Sequence, residues 1–165
     1  MAGIIEGNQD LLGKTLNIAN LVSGGGGGAS NNTGIAGTQP NSEDGTALER
    51  KILATYFESK GIPLNAGLDG VAEEMKQGLK MYRQSKTILA IKKLNPTTAQ
   101  VHFFTLDDEA TFNQLIKFWM GKLKEAGGNL IYDSEIEPNI VKALQEAGVR
   151  LQQSDNPKYK LMGYL

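Results

Sequence analysis

The order of elements from Val101 to the C-terminus limits the fold more than any other feature of this chain. Val101-His102-Phe103-Phe104-Thr105 is predicted as a strand, Asp108 to Ala126 as a helix, Asn129 to Tyr132 as a strand and Pro138 to Ala147 as a helix. Two more strands follow, Val149-Arg150-Leu151-Gln152 and Tyr159-Lys160-Leu161-Met162, joined through the turn residues Ser154 to Lys158. The long helix carries the clearest signal, since Phe112, Leu115, Ile116, Trp119, Met120 and Leu123 recur at three- and four-residue spacing and Gly127-Gly128 supplies a stop. Ser134 and the early acids Glu135 and Glu137 ahead of Pro138 read as the start of the next helix. This alternation predicts an α/β domain with a mixed sheet flanked by helices.

Upstream, Thr46 caps a helical pattern that runs to Lys60 through Leu48, Ile52, Leu53, Tyr56 and Phe57. A second helix is expected from about Leu68 to Tyr82, with Val71, Met75 and Leu79 on one face. Thr87-Ile88-Leu89-Ala90-Ile91 is a continuous apolar run, as expected of a strand covered on both faces, and Asn95-Pro96-Thr97-Thr98 turns it into a hairpin with Gln100 to Thr105.

Composition divides the chain. Residues 1–46 hold eleven of the twenty glycines, including the run Gly24 to Gly28, whereas residues 47–165 hold every Phe and Tyr and the single Trp. The first part is read as a flexible glycine-rich arm that cannot bury enough surface to fold alone, the second as one domain. Within the arm, Leu11, Leu12, Leu16 and Leu21 form an apolar cluster, expected to dock on a partner as a short helix. A net charge of −1 gives no field for direct nucleic-acid binding. With no cysteine and one histidine, thiolate nucleophiles and zinc sites built on sulfur or on several imidazoles are excluded. No apolar run is long enough to span a membrane, and the N-terminus lacks the pattern of a signal peptide.

The segment Asn139-Ile-Val-Lys-Ala-Leu-Gln-Glu-Ala-Gly-Val149, with the order of elements from Ala47 to Leu165, resembles the GNAT acetyltransferase superfamily in a shortened form. The resemblance implies acetyl-CoA held by a glycine-containing loop between the fourth strand and the following helix, where bare amides at a helix start meet the pyrophosphate. Here that position reads Thr105-Leu106-Asp107-Asp108-Glu109-Ala110-Thr111, with three carboxylates and no glycine. Acids suit the positive helix end as caps and repel a pyrophosphate there. The family's tyrosine acid, four residues before the helix-ending glycine, corresponds to Leu144, which has no proton to give.

The expectation is therefore a scaffold without catalytic, cofactor-binding or metal-ligating residues. His102 reads as structural, and Asp133, Glu135 and Glu137 as helix-start charges. Trp119 and Met120 read as core. The expected function is that of a non-catalytic interaction protein. The arm and domain plan resemble components of tailed-bacteriophage particles, implying other virion proteins or further copies of the chain as partners, in the virion or the host cytoplasm. The alternative is an active N-acetyltransferase using acetyl-CoA.

Overall fold

The computed structural model describes residues 12–23 and 40–165. Leu11 and the run Gly24 to Gly28 lie outside them. The described residues form two compact units, one of residues 12–15 with Gly78–Leu165, the other of Leu16–Gln77. This division cuts across a boundary at residue 46.

The larger unit is built on a seven-stranded mixed sheet. Its strands are β1 (Lys14–Thr15), β2 (Lys80–Gln84), β3 (Thr87–Asn95), β4 (Thr98–Thr105), β5 (Leu130–Asp133), β6 (Arg150–Gln153) and β7 (Leu161–Tyr164), in spatial order β1-β2-β3-β4-β5-β7-β6. Only β4 and β5 pair in parallel. The helix Glu109–Glu125 runs from β4 toward β5, and the helix Pro138–Glu146 follows β5. Both bury apolar stripes in a single core, where Phe112, Ile116, Trp119, Ile140 and Leu144 meet Leu89, Ile91, Val101, Phe103 and Ile131. Phe103 stacks on Trp119 with ring centroids 6.3 Å apart and meets Phe112 edge-on at 6.1 Å. Ile88 and Ala90, on the reverse face of β3, are buried as well, which explains that strand's continuous apolar run.

Residues 12–15, assigned by sequence to the arm, belong to this unit as a strap. Leu12 is 1 % exposed in the core, and its carbonyl accepts from Trp119 Nε1 at 2.8 Å and Gln84 Nε2 at 3.0 Å. Lys14 and Thr15 pair antiparallel with Arg83 and Tyr82. Gly13 makes the close approach possible: its φ is +126°, and a Cβ there would sit 2.6 Å from the Arg83 carbonyl oxygen.

The expected helix from Leu68 to Tyr82 is shorter, and its last part is a strand. The helix spans Leu64–Lys76, Gly78 adopts φ +107°, and Lys80–Gln84 forms the β2 hairpin arm against β3. Both Met81 and Tyr82 are fully buried although they alternate across the sheet, so an apolar pair that fits a helical face serves two sheet faces instead. Tyr82 carries a hydroxyl without a hydrogen-bond partner among the described residues, and burial pushes its pKa up to about 12. The folded state thus favours the protonated phenol. The associated stability is full below pH 10, the ordinary tyrosine value, and is lost as pH rises from 10 toward 12. The urea midpoint of the wild type should fall more steeply across this window than that of Tyr82→Phe; parallel curves would refute the assignment.

In the smaller unit, the helices Ile18–Ser23, Pro40–Ser59 and Leu64–Lys76 pack on one another. Leu16, Leu21, Ile52, Leu53, Phe57 and Leu68 are buried. Arg50 donates to the Leu21 carbonyl, closing the end of the first helix. Gly67 lies against Phe57, whose ring would stand 2.5 Å from a Cβ at that position. The second helix begins at Pro40, ahead of the expected cap at Thr46.

Candidate functional site

A cleft opens where β4 and β5 part. Their parallel ladder ends at Gln100 and Tyr132, while β4 continues to Thr105. Ligands of open α/β sheets commonly bind at the carboxyl ends of parallel strands. The cleft here, of ≈ 330 Å³, is lined by Thr105 from β4, Asp107, Glu109 and Phe112 from the start of the long helix, and Pro138, Asn139 and Lys142 from the start of the next.

The turn forming one wall is closed upon itself. Asp107 accepts from Ser85 Oγ at 2.6 Å, the Lys86 amide at 2.8 Å and Thr87 Oγ1 at 2.7 Å, so its carboxylate clamps the β2–β3 turn, where Ser85 holds φ +52°. Asp108 is the N-cap, accepting from the Thr111 amide at 2.8 Å, and this bond holds its carboxyl below the ordinary carboxylate range. Glu109 pairs with Lys142 across the cleft mouth, and its carboxylate holds the Lys142 ammonium above the ordinary lysine range.

The amides are engaged as well. Leu106 N donates to the Lys86 carbonyl at 2.9 Å, Asp107 N to Thr105 Oγ1 at 3.0 Å, and Phe112 N to the Asp108 carbonyl at 2.9 Å. The Leu106, Asp107 and Thr111 amides are thus taken within the chain, and three carboxylates stand beside the helix start where a pyrophosphate would bind. Sequence identified Asp107, Asp108 and Glu109 as helix-start acids. Two of these have further partners, the β2–β3 turn and Lys142, which lie far away in sequence.

The other singled-out residues lie elsewhere. Leu144 is fully buried in the core. His102 Nδ1 stands 3.3 Å from Asp133 Oδ1, and its ring meets Phe104 edge-on at 4.7 Å, outside the cleft lining. Asp133 is 2 % exposed and accepts from the Glu135 amide, so it orders the loop before the helix at Pro138. The cap of that helix is Glu137 rather than Ser134, and it makes no side-chain capping bond. Among the described residues, no group of three or more His, Asp or Glu side chains could hold a metal ion, and no helix is long and apolar enough to cross a membrane. The leucines read as a docking face are covered by the chain: Leu12, Leu16 and Leu21 are 1 %, 3 % and 1 % exposed, and Leu11 lies outside the described residues.

No family model matches the sequence. No curated protein matches it. Among solved structures, the chain is similar to a Bacillus subtilis acetyltransferase in complex with CoA, at 16 % identity over 59 % of this chain and 82 % of that one, with a TM-score of 0.42. It is also similar to the N-acetyltransferase PseH of Campylobacter jejuni in complex with acetyl coenzyme A, at 15 % identity over 71 % and 89 % of the two chains, with a TM-score of 0.45. An aminoglycoside 6'-N-acetyltransferase from Enterococcus faecium shares 9 % identity over 72 % and 87 %, with a TM-score of 0.46. Likeness at this level transfers no residue roles.

Proposed function

We propose that this chain is a non-catalytic interaction protein whose β4–helix turn is a structural clamp instead of a cofactor loop. The observation that carries the proposal is the engagement of Asp107 by Ser85, Lys86 and Thr87, which commits the turn to holding the sheet together. A pyrophosphate at this place would meet the carboxylates of Asp107 and Glu109 and find the Leu106, Asp107 and Thr111 amides in use. The burial of Leu144 agrees, because no proton donor stands where the resemblance implies one. The setting we propose is a tailed-bacteriophage particle or the host cytoplasm, on the domain plan alone: a glycine-run segment ahead of an α/β domain with a filled turn. Because the described leucines of the N-terminal segment are buried, we place the partner surface on the domain.

The second reading, an active N-acetyltransferase using acetyl-CoA, is favoured by the cleft's position at the carboxyl ends of β4 and β5. A ligand that binds only the folded state stabilises it by about 2.7 kcal/mol at a hundred times its Kd. Millimolar acetyl-CoA is expected to leave the melting temperature unchanged. A concentration-dependent rise would overturn the non-catalytic reading in favour of the transferase.

A further inference from the structure

The sheet ends in two unlike edges. At one end β1 has two residues and leaves little of itself to pair. At the other, β6 has β7 as its one neighbour among the described strands, so the outer side of Arg150–Gln153 presents unpaired backbone donors and acceptors. Natural edges are usually blunted by lysine, proline, a bulge or an inward charge. β6 is short and carries the exposed Arg150, which lies over the Tyr164 ring at 5.3 Å, but it has no lysine, proline or bulge, and its register against β7 runs unbroken through all four residues.

This edge is also held in its extended form before any partner arrives. Leu151 packs against the core, and the space beside Gly163 opposite it is filled by the Val149, Leu151 and Ile131 side chains. The connection to β7 is fixed by Ser154 and Asn156 bonding each other's polar atoms, by the Tyr132 hydroxyl donating to Asp155 at 2.7 Å, and by Lys160 N donating to the Asp133 carbonyl. A rigid edge loses little conformational entropy when a strand is added.

Charge selects the occupant. From Gly148 to Lys160 the chain carries Arg150, Lys158 and Lys160, all exposed, against Asp155 alone, whose carboxylate is occupied by Tyr132. The nearest upstream acid, Glu146, accepts from Asn113 of the long helix. Pairing of this edge with its own copy would bring like charges together, which disfavours a second molecule of the chain.

We propose that β6 is an augmentation edge that takes an extended acidic segment of another protein as an eighth strand. This deepens the interaction reading and rests on it, and it involves a surface separate from the cleft, so the two fail separately. The probes are an eight-residue peptide alternating Glu and Val, its counterpart with Lys for Glu, and a single-stranded oligothymidylate, each added to the full chain and read by amide hydrogen exchange. The acidic peptide is expected to slow exchange in residues 150–153 by about tenfold, an effect weakened by raising salt to about 0.5 M and lost in Arg150→Glu/Lys158→Glu/Lys160→Glu. The salt titration on the wild type keeps the test decisive if that variant fails to fold. Absence of protection by the acidic peptide, equal protection by the lysine peptide, or stronger protection by the oligonucleotide would each overturn the proposal. So would protection that grows with protein concentration before any probe is added, since a second copy would then be the occupant.

Discussion

Replacing Leu12 by alanine is expected to lower the unfolding free energy of the sheet unit by about 2–5 kcal/mol, the usual cost of truncating a leucine in a packed core. Among the described residues Leu12 has no sequence neighbour in that core, where it packs with residues of the sheet and its covering helices. Its carbonyl also satisfies the indole of Trp119 and the amide of Gln84, and displacement of the strap would leave a buried indole N–H unpaired. Trp119 is the only tryptophan, so urea unfolding followed by its emission reports directly on this contact. The midpoint should fall and the native emission should shift to the red. A loss below about 0.5 kcal/mol would mean that the strap is a passive tail, as expected of a surface substitution.

Replacing Asp107 by alanine should have the next largest effect, about 2–4 kcal/mol, because hydrogen bonds to a charged group contribute more than neutral ones and three donors lose their acceptor together. Thr87, fully buried, keeps Thr105 as a partner at 2.6 Å, but Ser85 Oγ and the Lys86 amide lose their one acceptor among the described residues. The β2–β3 turn, with Ser85 in the left-handed region, should then open. Amide exchange at Lys86 and thermal unfolding measure both consequences. A variant with unchanged exchange at Lys86 and an unchanged melting temperature would remove the clamp from the account, and with it the main support for the non-catalytic reading.

Much of the architecture was legible because its signals are local. The helix Glu109–Glu125 declares itself through six apolar positions on one stripe, and the β3–β4 hairpin through an apolar run followed by a turn. What escaped sequence reading depends on contacts between distant residues. The short β1 is a strand only because β2 lies beside it, and β2 falls inside the expected helix because Leu79 keeps helical spacing with Val71 and Met75 although Gly78 has already turned the chain. At the site, the acids of the turn were visible, but their partners Ser85, Thr87 and Lys142 were not. Nothing in a run of carboxylates announces that a distant hairpin turn and a lysine of another helix will meet it.

The strap also imposes a schedule on biosynthesis. Leu12 emerges long before Trp119, which stands 107 positions later, and at roughly 5–20 residues per second the interval is on the order of 5–20 s. During that time the leucine has no finished core to enter, and β1, though the first strand made, has no edge to lie along until β2 follows. Slowing translation between Gln84 and Trp119 therefore lengthens the life of a nascent chain whose Leu12 is still without its place.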